Sequence, residues 1–341
     1  MVYTMRDVGR LAGVSASTVS RVLNNTHYIS DETRKRVHEV VDSVNYYKNV
    51  HARRLSTGRS DLFGLVISEI ASPYFSEVIR GFQAAAWDRG LDVLLLNTEY
   101  IPVRMQAIIR KLIESDVRGV AIMTSSIDNT VTSELKDAGI GVVFSNACHA
   151  DTLVSSVSID YSRGIAQAIE HVANLQHRRA AVIGGPEGNL TAANIKQALV
   201  MGLTKRGMTP FPITNSDYRV DAGASAVREI LAAREMPTVI FCGSDLIAMG
   251  AMNALEEAGV RVPEDISIVG IDNISFAFLA RPPLTTIDVP REQLGMKAFA
   301  ALEKMLQLKR HKGAEYTLET ALVVRKSTGP ARKGKLRTFN R

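Results

Sequence analysis

The chain has 341 residues, of which 46% are hydrophobic and 22% charged, and its formal net charge is +6. This length allows more than one domain with a core of its own. No apolar run reaches about 18 residues and no charged-then-apolar leader is present, so we expect a cytoplasmic protein without a membrane span. Cys148 and Cys242 lie in apolar surroundings, which favours reduced core residues over a disulfide framework.

The excess of positive over negative charge lies at the two ends of the chain. Residues 1–60 carry 10 Lys or Arg against 5 Asp or Glu, and residues 331–341 carry 5 basic and no acidic side chains. The middle is mildly acidic. A basic head predicts a polyanionic partner and binding that weakens with salt. The basic tail at 331–341 lacks apolar periodicity, so we expect it to be disordered.

Residues 4–24 predict two short helices joined by a tight turn. Gly13 stands where such a turn needs a positive φ, and Ser15 stands where a side chain caps the second helix. Thr4 and Asp7 match a capping box for the first helix. The pattern is that of a helix-turn-helix.

The solvent face of the second helix carries small polar groups and one guanidinium, contributed by Ala16, Ser17, Ser20 and Arg21. Such a face is typical of a helix that enters the DNA major groove. A third helix follows, with Ser30 as its cap and inward-facing valines. Other short helix pairs give a similar pattern, but the third helix and the basic charge favour a DNA-binding head.

Beyond the polar, basic segment at 46–60, short apolar runs alternate with helical patterns. The runs are FGLVIS, LDVLLLN, GVAIMTS, GVVFSNA, AAVIGG, TVIFCGS and SIVGID. Strands that are apolar on both faces and alternate with helices predict parallel sheets covered on both sides. Because the pattern restarts near residue 178, we predict an α/β core of two similar lobes.

Most of these runs end in a small or polar residue, namely Ser68, Asn97, Thr124, Asn146, Gly185, Ser244 and Asp272. Ligands of open α/β sheets bind at the carboxyl ends of the strands. Each residue alone is what any strand end shows, but the set predicts a small-molecule cleft between the lobes.

Several motifs together resemble the lactose-repressor (LacI/GalR) family: DVGRLAGVSASTVSRVLN in the head, and GSDLIAMGA and VPEDISIVGIDN in the core. The similarity spans about residues 4–328. It implies a homodimeric transcription regulator, by default a repressor, with a periplasmic-binding-protein-like core. The sequence shows no C-terminal leucine heptads of the kind that build tetramers.

The resemblance also implies a domain plan. The helix-turn-helix head occupies 1–48, and the hinge helix with its linker occupies 49–60. The core at 61–330 has an N-lobe formed by 61–160 and 291–320 and a C-lobe formed by 161–290 and 321–330. The chain would therefore cross between the lobes near 160, 290 and 320.

By position, the resemblance assigns base reading to Ala16, Ser17 and Arg21, and we expect Arg21 to bind guanine O6 and N7 of a palindromic operator. Phosphate contacts fall to residues that position the head without reading sequence. The full set of expected DNA-binding residues is Thr4, Ser15, Ala16, Ser17, Thr18, Ser20, Arg21, Asn24, Asn49, Ala52 and Leu55.

Leu55 matches the hinge leucine that the family wedges into the minor groove, where it kinks the DNA. The alternative is an ordinary linker residue, but the flanking Arg53 and Arg54 favour the wedge. This chain has Lys48 where the family usually has proline before the hinge.

The resemblance places an effector between the lobes, held by Tyr74, Phe75, Asn146, Asp160, Asn194, Tyr218, Asp245 and Asp272. Packing in the core or at a dimer interface is the alternative role for Tyr74 and Phe75. Asn194 stands where relatives commonly carry an arginine that holds a carboxylate. Because the guanidinium of that arginine is absent, we expect a neutral effector, a carbohydrate or related polyol, rather than an acid.

Other classes of function are disfavoured. The chain has no GxxxxGK[ST] loop and no GxSxG elbow, and its histidines are not paired at i, i+4 spacing for a metal. We therefore expect no catalytic residues, no metal, no cofactor and no membrane partner. A free solute-binding protein would be exported and would lack the helix-turn-helix.

Overall fold

The computed structural model describes residues 3–23, 29–46, 60–124, 129–145, 150–211, 214–233, 235–308 and 311–333. The chain forms two compact units, Met1–Ser60 and Asp61–Arg341. We call the first the head and the second the core.

The head contains three helices, α1 (Met5–Ala12), α2 (Ala16–Leu23) and α3 (Asp31–Ser43). Val8, Val19, Val22 and Val37 are fully buried and form its small hydrophobic core. The apolar spacing along each helix therefore gives the inward stripe that a three-helix unit needs.

The predicted caps of the head are confirmed. Thr4 Oγ1 accepts the Asp7 backbone N–H at 3.3 Å, and Asp7 Oδ2 accepts the Thr4 N–H at 3.0 Å, which completes the capping box. Gly13 has φ +67° at the end of α1. Ser30 Oγ accepts the Thr33 N–H at 3.3 Å and caps α3.

The first lobe of the core, which we call the N-lobe, is a six-stranded parallel sheet in the order β12-β5-β4-β3-β1-β2. Buried side chains on both faces of the sheet pack against helices. Its elements are β1 (Leu62–Ile67), α4 (Pro73–Trp87), β2 (Asp92–Asn97), α5 (Arg104–Glu114), β3 (Gly119–Met123), α6 (Asn129–Asp137), β4 (Gly141–Phe144), β5 (Val154–Asp160), α12 (Arg291–Gln307) and β12 (Glu315–Glu319).

The C-lobe sheet has the order β13-β11-β10-β9-β6-β7, and β8 also pairs with β6. Helices again cover both faces. Its elements are α7 (Ser162–Asn174), β6 (Arg179–Gly184), α8 (Leu190–Lys205), β7 (Thr209–Pro210), β8 (Thr214–Asn215), α9 (Val220–Leu231), β9 (Val239–Cys242), α10 (Asp245–Glu257), β10 (Ser267–Asp272), α11 (Ser275–Leu279), β11 (Thr285–Asp288) and β13 (Ala321–Val323).

The chain passes between the two sheets at 160–162, 288–291 and 319–321. The C-lobe sheet departs from the parallel expectation at one edge, because β13 runs antiparallel to β11. It enters this sheet directly from β12, with only Thr320 between the two strands. A strand that runs parallel to its neighbour needs a crossover that reverses the chain before it. No such crossover lies between β12 and β13, so β13 runs in the opposite direction to β11.

The tail begins in contact with the C-lobe rather than free of it. The Ala331 N–H donates to the Leu175 carbonyl at 2.8 Å, and Arg332 reaches the Pro237 carbonyl at 3.5 Å. Residues 334–341, the rest of the predicted disordered tail, lie outside the described residues.

Candidate effector cavity and DNA-binding head

A cavity of about 120 Å³ lies where the carboxyl ends of strands from both lobes face each other. One ordered water needs only about 10–15 Å³ measured in the same way, so the space accommodates a small organic ligand. Four of the predicted strand-end residues line it: Ser68, Thr124, Ser244 and Asp272.

Aromatic side chains form much of the cavity wall. Tyr74, Phe75 and Tyr218 line the cavity as the sequence predicts, and Tyr100 and Tyr161 join them. The Tyr74 and Phe75 rings pack edge to face, with centroids 5.1 Å apart. Flat rings of this kind stack against the apolar face of a sugar or of a planar heterocycle.

The tyrosine hydroxyls in this wall stay protonated at neutral pH. Burial raises the pKa of Tyr74, Tyr161 and Tyr218 well above the ordinary value, and it raises the pKa of Tyr100 to about 12. Each phenol can therefore donate one hydrogen bond and accept others.

Gly185 allows the Tyr218 ring to take its place in the wall. A Cβ atom at Gly185 would lie 2.6 Å from the Tyr218 hydroxyl oxygen and 2.7 Å from two ring carbons. Any larger residue there must displace the ring, so the strand-end glycine has a packing role beside the cavity.

Asp272 combines a strained backbone with a half-buried carboxyl group at the cavity. Its φ is +118°, and the next residue, Asn273, has φ +58°. Burial raises the pKa of Asp272 well above its usual range, and the neighbouring Asp245 carboxyl raises it further. The Arg291 guanidinium opposes this shift. Backbone strain of this kind concentrates at functional sites, where the surrounding fold holds it in place.

The described lining residues include no lysine or arginine, and Asp272 is the one carboxyl among them. Burial and the nearby Asp245 carboxyl raise the pKa of the Asp272 carboxyl, which shifts that carboxyl toward its neutral form. Electrostatics in the described part of the wall therefore favour a ligand without charge.

The structure places Asp245 in the protein interior, outside the cavity lining. The side chain is fully buried, Oδ2 accepts the Ile274 N–H at 2.8 Å, and Oδ1 accepts the Thr286 hydroxyl at 2.5 Å. Burial raises the pKa of this carboxyl too. Its contacts support the segment that follows Asp272, so it shapes the wall without forming part of it.

Asp160 and Asn194 also lie outside the lining. Asp160 Oδ1 accepts the Ser162 N–H at 2.8 Å, at the start of α7. Asn194 is on the exposed face of α8, whereas Thr191 and Ile195, one helical turn apart, face the cavity. The place in the cavity wall that was expected for Asn194 is thus taken by its apolar neighbour Ile195.

In the head, Ser17 and Arg21 are exposed on α2, while Val19 and Val22 are buried on its other side. Ala16, Thr18 and Ser20 are half-buried. The predicted base-reading and phosphate-contacting side chains of α2 therefore lie on or beside one polar face.

Two predicted phosphate contacts, Thr4 and Ser15, also act as helix caps. Ser15 Oγ accepts the Thr18 N–H at 3.1 Å and lies 2.7 Å from Ser17 Oγ. The remaining expected site residues lie outside the described residues: Asn24, Asn49, Ala52, Leu55 and Asn146.

Within the described ranges, no helix is long and apolar enough to cross a membrane. The same residues contain no cluster of three or more His, Cys, Asp or Glu that is able to hold a metal ion.

Comparison with known proteins assigns each unit of the chain. Residues 4–49 match the model of bacterial regulatory proteins of the lacI family, and residues 169–328 match a periplasmic binding protein-like domain. The HTH-type transcriptional repressor PurR of Photobacterium profundum is 31% identical over 327 residues, which covers 95% of this chain and 98% of that protein. The chain belongs to the LacI family.

Solved structures agree with this LacI-family assignment. A lac repressor dimer bound to operator and the anti-inducer ONPF superimposes with a TM-score of 0.85 at 28% identity, covering 96% of this chain and 100% of that one. A complex of the transcriptional regulator CelR with cellobiose has a TM-score of 0.71 at 29% identity, covering 95% and 99%. This LacI-family protein is accordingly a DNA-binding regulator of transcription with a ligand-binding type of core.

Proposed function

We propose that this LacI-family protein represses transcription from a palindromic operator, and that a small neutral molecule in the core cavity controls its affinity for that operator. The observation that carries the proposal is the cavity itself. It lies at the strand ends of both lobes, is walled by tyrosines and serines, and has no cationic side chain among its described lining residues.

A sugar is the first candidate for the effector. Hydroxyls from Ser68, Ser72, Thr124, Ser145 and Ser244 stand beside the aromatic wall, so a polyol is offered both hydrogen-bond partners and a stacking surface. The related CelR regulator was solved with cellobiose, a neutral carbohydrate.

A planar neutral heterocycle is the second candidate. The described wall contains four tyrosines and Phe75, together with apolar side chains such as Ile195 and Leu294. Such a wall suits a flat ring on both faces and needs only a few hydroxyls to fix its edge.

In the head, the proposal gives base reading to Arg21, with Ser17 and Ala16 beside it. Thr4, Ser15, Thr18 and Ser20 contact phosphate or flank those contacts. Asn24, Asn49, Ala52 and the Leu55 wedge complete the DNA-binding set. The exposed polar face of α2 supports this division.

We propose that the protein acts as a homodimer, as a two-fold operator requires. Support comes from α11, which exposes the apolar side chains of Phe276, Phe278 and Leu279. Clustered exposed apolar groups are typical of protein interfaces. The related lac repressor was solved as a dimer on its operator.

Selection of bound DNA from a random pool tests the operator part of this proposal. We expect a palindrome whose half-sites lie about one helical turn apart, or a multiple of it. A chain with native circular dichroism that enriches no sequence at low salt would contradict the proposal.

Isothermal titration calorimetry of the full chain tests the effector part, with panels of neutral sugars, neutral heterocycles and carboxylic acids. Binding confined to one neutral panel supports the proposal and decides between its two candidates. Tight binding of the acids alone contradicts the neutral cavity. Tyr218→Leu, which removes one aromatic ring from the wall, should weaken the binding of whichever ligand is found.

A further inference from the structure

Arg291 is a buried cation at the start of α12, behind the cavity wall. Its side chain is 3% exposed. The guanidinium donates to Glu77 Oε2 from Nη2 at 2.8 Å and from Nε at 3.3 Å. It also donates to the backbone carbonyls of Asp272, through Nη1, and of Asn273, through Nη2 at 2.8 Å.

These partners belong to different lobes. Glu77 lies on α4, which packs against α12 in the N-lobe, whereas the two carbonyls lie at the end of β10 in the C-lobe. The Asp272 side chain lines the cavity. The guanidinium therefore connects the N-lobe to the backbone that carries a wall residue of the cavity.

The two halves of this connection differ in rigidity. Helices α4 and α12 touch so closely that a Cβ atom at Gly81 would lie 2.0 Å from the Glu292 carbonyl oxygen. The Arg291–Glu77 pair must therefore move with the N-lobe as one body. A rotation of one lobe against the other would instead stretch or break the hydrogen bonds from Arg291 to the carbonyls of Asp272 and Asn273.

We propose that Arg291 is the positioning residue that transmits a change at the cavity wall to the N-lobe. A ligand that moves the Asp272–Asn273 backbone alters the carbonyl contacts of Arg291, and α12 responds with α4. This role rests on the proposed function only in taking the cavity as the effector site. Glu77 keeps the guanidinium aimed at the carbonyls and supplies its counter-charge.

The chain offers a matched control on the same two helices. Arg80 Nη2 and Glu292 Oε2 form an ion pair at 2.7 Å between α4 and α12, and both side chains are exposed. This pair links two elements of the N-lobe. Glu292→Gln therefore removes an ion pair between the same helices and leaves the contact between lobes intact.

Pulsed electron spin resonance on the full chain tests the proposal without operator or effector, so its result is independent of whether those ligands are rightly assigned. Nitroxides on Lys111→Cys in α5 and Lys205→Cys in α8 report the distance between the lobes, because both positions are exposed. The background carries Cys148→Ser, and Cys242 is buried. Labelled chain is diluted with unlabelled chain.

We expect Arg291→Met and Glu77→Gln to shift the mean distance by more than about 2 Å or to broaden it clearly, as a freed lobe contact would. Glu292→Gln should keep the parental distribution. The proposal is overturned if both substitutions keep that distribution in folded protein, or if Glu292→Gln changes it equally. Should Arg291→Met fail to fold, Glu77→Gln decides alone, because it keeps the side-chain volume and removes the counter-charge that aims the guanidinium.

Discussion

At the residue scale, the sequence predicts part of the cavity lining. Tyr74, Phe75, Tyr218 and Asp272 were expected from motifs and line the cavity in the structure. Tyr100 was missed because it lies in the loop after β2, where Glu99 and Tyr100 itself both have positive φ. No sequence period marks such a loop, and only the packing of both lobes brings its ring to the cavity.

Asn194 lies outside the cavity lining for a different reason. Motif matching counts positions along the chain, whereas a helix presents a face that changes with each residue. On α8 the cap is Asn189, and the turn that follows directs Thr191 and Ile195 inward. A shift by one residue exchanges an exposed amide for a buried aliphatic group, and the described wall stays without a cation.

The Asp272 carboxyl gives a prediction for stability against pH. Because its folded pKa is raised above the ordinary 3.8, its contribution to stability is full below that value and is lost as pH rises through the raised pKa. Asn tolerates a positive φ, and its amide has no carboxyl proton that titrates. As the pH rises above about 4, wild type should therefore lose stability relative to Asp272→Asn in urea unfolding. Parallel curves would mean that the carboxyl is charged in the folded state.

Arg21 gives a prediction for base recognition. A bidentate arginine–guanine contact is worth about 1–3 kcal/mol of discrimination, so Arg21→Ala should lower the preference for one guanine in each half-site about fivefold or more. Competition between the selected palindrome and singly substituted sites measures this preference.

Arg10→Ala is the control, since it removes the same charge from α1, where Arg10 pairs with Asp7. It should weaken all sites alike. Unchanged preference at every base in Arg21→Ala would show that another side chain reads the operator.

At the scale of elements, the continuous apolar runs predicted the central strands well, because residues buried on both faces leave a clear pattern. The strands β5, β11, β12 and β13 were missed, as were the two-residue strands β7 and β8. β5 contains Ser155, Ser156 and Ser158, and β12 shows alternating exposure as an edge strand. The four longer strands pair with partners that are distant in the sequence: β5 pairs with β12, and β11 pairs with β13. A local sequence pattern therefore does not reveal them.

The contact between α4 and α12 gives a prediction at this scale. A Cβ atom at Gly295 would lie 2.1 Å from the Val78 carbonyl oxygen, so the helices must separate to admit it. We expect Gly295→Ala to destabilise the core by about 1–3 kcal/mol in chemical unfolding.

The neighbouring Met296 is 48% exposed. Met296→Ala should therefore stay within about 0.5 kcal/mol of wild type. Equal stability of Gly295→Ala and wild type would show that the two helices do not approach this closely.

At the scale of the whole molecule, function is divided between two units. The head presents a polar helix face over a small cluster of buried valines. The core holds the cavity between two lobes, and the chain crosses between these lobes three times. The sequence predicted this division from charge segregation and the restart of the strand pattern. It did not reveal the Arg291 contact between lobes, because Glu77, Asp272 and Arg291 are far apart along the chain and no motif joins them.

The central claim is that occupancy of the cavity changes operator affinity. Its most direct test is fluorescence anisotropy of the selected palindrome titrated with full chain, with and without the ligand found by calorimetry. We predict a shift of the midpoint by about fivefold or more, as a coupling of 1–3 kcal/mol gives.

Gly185→Ala should bind the same DNA and lose that shift, because the added methyl group displaces Tyr218 from the cavity wall. A midpoint that does not move in wild type when the ligand saturates the cavity would contradict the account.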